Sequence, residues 1–146
     1  METRTLLLAT SFVVLLAGCG KEVGRVPFTA AGKASATFPL TAGNVDFWTD
    51  IAIEYEGEAS LQYLIALEQG GAKIGTAICN PLGHISVKTT WIQNDINASH
   101  ARRGSGKMAC STKLAAGGPT TVQVTLALGG KPTSLVLTKA DLVVKQ

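Results

Sequence analysis

Apolar and polar residues alternate with a period of two along most of the chain beyond residue 33, the mark of half-buried strands. Residues 45–55 are the clearest case. Val45, Phe47, Thr49, Ile51, Ile53 and Tyr55 fall on one face, and Asp46, Trp48, Asp50, Ala52 and Glu54 on the other. Glu56-Gly57-Glu58 turns the chain, and Leu61, Tyr63, Ile65 and Leu67 form the buried side of the next strand. Gly70-Gly71 is a further turn, leading into a strand over 73–79. The alternation resumes at 84–92, where Ile85, Val87, Thr89 and Trp91 face one way and Trp91 is read as core. It continues at 107–114 with Met108, Cys110, Thr112 and Leu114, and at 120–128 with Val122, Val124, Leu126 and Leu128 inward. Gly129-Gly130-Lys131-Pro132 then closes a hairpin whose return strand is 134–138, and 140–144 prolongs that strand or forms a last one.

Between these strands, residues 93–106 (QNDINASHARRGSG) read as a loop of 14 residues in which Ile96 is the single large apolar member. Loops of that length in a compact domain often carry function, which makes His100, Arg102 and Arg103 candidates. Seven to nine strands without a helical period predict an all-β chain, an antiparallel β-sandwich with Greek-key or jelly-roll connectivity.

The start of the chain has a different pattern. Residues 6–16 form an apolar run of 11 residues broken by Thr10 and Ser11, too short to span a bilayer and of the length of a secretory core segment. Leu16-Ala17-Gly18-Cys19 follow directly and resemble the lipobox of bacterial lipoproteins. The resemblance implies cleavage before Cys19, diacylglycerol on its sulfur and acylation of its new amine, with residues 1–18 removed as signal peptide. Several acyl chains on one residue give lasting membrane attachment. In Gram-negative members an Asp after the Cys commonly marks inner-membrane retention, so Gly20 implies the periplasmic side of the outer membrane in such a host. Residues 19–33, with Gly24, Pro27 and Gly32, are expected to be a tether, although Val23 and Val26 could instead form a first strand. The sandwich is expected over 34–146.

Assigning Cys19 to the lipid leaves Cys79 and Cys110, which in an exported domain read as a disulfide. A zinc set completed by His84 and His100 fits no finger spacing. The formal net charge of +3 is too mild to point to nucleic acid. It is unevenly spread, however: no basic residue lies between Lys33 and Lys73, where Asp46, Asp50, Glu54, Glu56, Glu58 and Glu68 all fall. That segregation suggests an acidic face. Trp48 among Asp46, Asp50 and Glu54 is a candidate ligand or partner face, since a ring flanked by carboxylates suits a sugar or a protein hot spot.

Chemical motifs fail on inspection. Gly104-Ser105-Gly106-Lys107 lacks the Gly at 101 and the Ser or Thr at 108 of a phosphate loop. Asp95, Asn97 and Ser99 begin like a calcium loop, but His100 and Gly106 occupy the places that need Gly and Glu. No nucleophile elbow occurs. The expectation is therefore a membrane-anchored envelope lipoprotein with a non-enzymatic binding domain and no cofactor. Its partner is an envelope protein, to which it is an accessory subunit, inhibitor or immunity factor, or alternatively a glycan such as peptidoglycan.

Overall fold

A computed structural model describes residues 20–146; the lipobox and the segment before it lie outside the described residues. Nine strands account for almost the whole of it: β1 (Glu22–Val26), β2 (Gly32–Leu40), β3 (Gly43–Glu56), β4 (Ala59–Gln69), β5 (Ala72–Cys79), β6 (Ile85–Ile96), β7 (Ser99–Leu114), β8 (Gly118–Gly130) and β9 (Ser134–Lys145). The chain is all-β, as the alternation predicts. β1 pairs with β9, β2 with β8, β3 with β7 and β4 with β5, all antiparallel, so the pairings nest one inside another. Folding that nested ribbon over itself produces two packed sheets, β1-β9-β3-β7-β6 and β2-β8-β4-β5. This is jelly-roll connectivity, with β6 added as an edge strand outside β7.

The core lies between the sheets and is built by the predicted inward residues. Val45, Phe47, Ile51 and Ile53 of β3 meet Leu61, Tyr63, Ile65 and Leu67 of β4, all at most 3% exposed. Thr49 is the polar member of that β3 face, and its hydroxyl shares a 2.9 Å hydrogen bond with the Tyr63 hydroxyl. Burial pushes the Tyr63 phenol above its ordinary pKa, and the bond to Thr49 opposes part of that rise. β9 keeps both of its halves on the core although their parity differs. Ala52 pairs with Lys139 but Ile53 with Leu137. The extra residue, Thr138, is a bulge that lets Leu135 and Leu137 face the core before it, and Ala140, Leu142 and Val144 after it.

Cys79 and Cys110 form a disulfide, with Cα atoms 5.5 Å apart. It joins the end of β5, an edge of one sheet, to β7 of the other, and so staples the sandwich across its layers.

Four expectations are corrected. Residues 22–26 are not tether but strand β1, and the Lys21 and Gln146 backbones bond each other at 2.8 and 3.1 Å. Val26 and Phe28 bury themselves at 1% and 6% exposure, so the domain begins well before residue 34. Residues 93–106 are not a loop. They belong to the β6–β7 hairpin, with Ile96 opposite Ser99 and a two-residue turn at Asn97-Ala98. Asn97 holds a φ of 55° there, which a short amide side chain tolerates. Gly129-Gly130-Lys131-Pro132 does not close a hairpin, because β8 pairs with β2 and β4 while β9 crosses to the other sheet. Leu128, expected inside, is 40% exposed at the end of its strand.

Candidate functional site

The outer face of the five-stranded sheet carries the residues that alternation sends away from the core. At the end where the chain enters and leaves, Asp46, Trp48 and Asp50 of β3 lie beside Lys145, Val143 and Asp141 of β9 in register. Asp50 accepts from Arg25 of β1 at 3.2 Å and from Lys139 at 2.6 Å, and Asp141 accepts from Arg25 at 3.1 Å. Arg25 also donates to Glu22 at 2.6 Å. That bond to Glu22, with those to Asp141 and Asp50, raises the guanidinium pKa above its ordinary value against the opposing cost of burial. Lys107 of β7 approaches Asp46 at 3.4 Å. The carboxylates that cluster in sequence are thus interleaved with cations brought from distant strands, and this part of the face is a mixed-charge lattice rather than an acidic patch.

Trp48 sits in that lattice but is not open. It is 2% exposed, and the Lys145 ammonium lies 3.7 Å from its ring centroid, a cation–π contact that covers the face a sugar would stack on. Alternation placed Trp48 correctly on the outer side. It could not show that Lys145 of the neighbouring strand comes to lie over the ring. Trp91, expected in the core, is partly buried at its margin, because β6 is an edge strand with register shifts between Ile85 and Val87 and between Thr89 and Ile92.

The other end of the same sheet is built differently. Three turns meet there: the Gly57 amide donates to the Ala98 carbonyl at 2.9 Å, Lys131 to Glu58 at 3.0 Å and Thr133 to Glu56 at 2.9 Å. This end is therefore tied together although it is all turns. The three candidates from the supposed loop divide between its two sides, because they are consecutive or alternate residues of one strand. Arg103 pairs with Ala52 and joins the outer face, whereas His100 and Arg102 pair with Tyr55 and Ile53 and face inward. β5 pairs no further along β4 than Tyr63, and polar groups occupy the inner side of the β6–β7 tip. Asp95 lies 2.7 Å from His100 Nδ1 and accepts from Arg102 at 2.7 Å and from Gln93 at 3.1 Å. The Arg102 bond first, then those to His100 and Gln93, hold the Asp95 carboxyl well below the usual carboxylate range. The His100 ring stacks on Tyr55 with centroids 4.9 Å apart. Asp95 is thus an anchor for the hairpin, a role that its reading as loop concealed.

On the outer side of this end are two adjoining shallow hollows of about 240 and 340 Å³. Their floor is small, with Ala52, Ala101 and Ser99, and Glu54 stands between the two. Ile92 and Ile96 of β6 and Val136 of β9 flank them, and these are 62%, 62% and 59% exposed. Glu56 and Arg103 supply charge at either end. Of these residues, Glu54 and Arg103 were candidates from sequence; Ile92, Ile96 and Val136 were not. Their signal was present in the phase of β6 and β9, but it appears only once the hairpin and the β9 bulge are known. A larger hollow of about 630 Å³ lies on the outer face of the four-stranded sheet around Leu64 and Ile78. Lys33 is the one charged side chain lining it, and Ser35, Thr76, Gln123 and Thr125 are its uncharged polar ones.

No protein-family model matches the chain, and no curated protein matches it in sequence.

Proposed function

We propose that the chain is an envelope lipoprotein, acylated at Cys19, whose sandwich binds a protein partner through the outer face of the β3–β7–β6 and β9 strands at the turn-rich end. The observation that carries the binding half is the grouping of Ile92, Ile96 and Val136, each about three-fifths exposed, around Glu54 and Arg103. A cluster of exposed β-branched residues on a monomer's surface marks an interaction site, and the flanking charges supply orientation. The lipobox resemblance of Leu16-Ala17-Gly18-Cys19 supports the anchoring half. Lys21 already pairs with Gln146, so an acylated Cys19 lies two residues from the folded body and holds that edge of the sandwich close to the lipid.

Protein binding is preferred over the glycan reading because Trp48, the ring on which that reading rested, lies beneath Lys145. A photo-crosslinking side chain placed at Ile96, at Val136 or at Thr125 of the opposite sheet tests the proposal in intact membranes. The same partner band is expected from Ile96 and Val136, absent from Thr125 and weakened by Glu54→Lys. Equal labelling from all three positions overturns the assignment of this face.

A further inference from the structure

We infer that a second copy of this chain pairs with the free edge of β6, strand Ile92–Ile96 against the same residues of its neighbour, to give a two-fold dimer with one continuous sheet. Ile92 and Ile96 also belong to the face proposed above for a protein partner, but the pairing is made by the edge of their strand and requires neither that partner nor the lipid anchor.

The sandwich has four strand edges, and three are protected in familiar ways. β1 has five residues and a register shift, and Pro27 follows it. β2 carries Lys33 and Pro39. β5 carries Lys73, pairs with β4 across a register shift, and ends in the disulfide. The first half of β6 is protected too, by Lys88, by two register shifts and by Thr90 at a φ of 52°. The second half is not. From Ile92 to Ile96 it pairs residue for residue with Arg103 to Ser99 and contains no Pro, Lys or Gly. Its one charge, Asp95, is already tied to Arg102 and His100.

The hydrogen-bond alternation fixes the register. Ile96 and Ser99 close a two-residue turn, so they form a hydrogen-bonded pair, as do Asn94 with Ala101 and Ile92 with Arg103. The N–H and C=O groups of Gln93 and Asp95 therefore point away from β7 towards the open edge. An antiparallel neighbour must match those two residues with its own, and a two-fold axis at Asn94 does so: Gln93 meets Asp95 of the second copy, and the reverse. On the outer face the same axis sets Ile92 beside Ile96 of the second copy twice over. On the inner face Gln93, already a donor to Asp95 within its own chain, reaches the same carboxylate type across the dyad. Moving the axis to Asp95 would oppose two carboxylates, and moving it to Gln93 would oppose Ile92 with Asn94; both lose the favourable cross-strand pairs. The short segment is thus self-complementary in one register, as an isologous interface requires.

The contact is small, so the association is expected to be weak. Residues 20–146 contain all nine strands and the whole described core, and serve for the test. Sedimentation equilibrium from micromolar to millimolar concentration should show a monomer–dimer equilibrium. Gln93→Pro removes an outward-facing N–H together with the side-chain bond to Asp95 and should weaken it by about tenfold or more, while Ile78→Lys, at an exposed position of the other sheet, should leave it unchanged. Should Gln93→Pro lower the melting temperature, the pair Ile92→Lys and Ile96→Lys, both on exposed positions, takes its place. Asn94→Cys, on the dyad, should form an intermolecular disulfide under mild oxidation. A chain that stays monomeric throughout, a dimer indifferent to the edge variants, or an Asn94→Cys dimer that does not crosslink overturns the inference.

Discussion

Tyr63 and Thr49 face each other across the two layers, and their shared hydrogen bond is the one polar link between the buried faces of β3 and β4 described above. Tyr63→Phe leaves the Thr49 hydroxyl without that partner in a site that is 0% exposed. The expected loss is about 1–3 kcal/mol in denaturant unfolding; no loss would mean that the hydroxyl finds another partner. Asp95 gives a prediction in pH. Its folded pKa is depressed by Arg102, His100 and Gln93. The stability it contributes is therefore complete above the ordinary carboxylate range and is lost as pH falls through the folded value. The Asp95 carboxyl resonance should titrate below an ordinary aspartate, and Arg102→Ala should move its midpoint upward. A midpoint near the ordinary value in the unaltered chain would remove Asp95 as the hairpin's anchor. Trp48 gives a third. Lys145→Ala uncovers the ring, so its emission should shift to the red with a cost of about 0.5–1 kcal/mol.

At the scale of elements, period-two alternation located β3, β4, β5, the second half of β7 and most of β8, because each has one face on the core and one in water. It failed where that condition fails. The tip of β6 is exposed on both sides and the start of β7 is lined with polar groups, so Asn94, Asp95, His100 and Arg102 carry no apolar signal and read as loop. β9 changes parity at the Thr138 bulge, and one strand reads as two. Gly104 shows another cause. It holds a φ of 130°, and a Cβ there would meet the Thr90 carbonyl, so this glycine permits the irregular approach of β6 to β7 rather than marking a turn. Of the candidate site, Glu54 and Arg103 were legible as residues, while the apolar flank was hidden by the same two failures. Pairing of Cys79 with Cys110 was legible from the cysteine count and the expected export. Replacing both cysteines with alanine should cost about 3–4 kcal/mol by loop-closure entropy, read as a lowered denaturant midpoint. A midpoint unchanged by the double substitution would show that β5 is held to β7 by packing alone.

At the scale of the molecule, the acidic stretch and the basic stretch of the sequence become one interleaved surface, because nested pairing brings β1, β7 and β9 alongside β3. What distinguishes the two ends of the sandwich is therefore exposed apolar surface rather than net charge. One end holds the chain's entry and exit and the covered Trp48; the other holds the tied turns, Ile92, Ile96 and Val136. The lipid proposed on Cys19 would make that difference directional, since it would hold the first end near the bilayer. Intact-mass measurement of the chain recovered from membranes tests the proposed attachment most directly. The predicted species begins at Cys19 and carries a diacylglycerol and an amide-linked acyl chain, and Cys19→Ala abolishes it. An unacylated chain, or acylation that persists in Cys19→Ala, would contradict it.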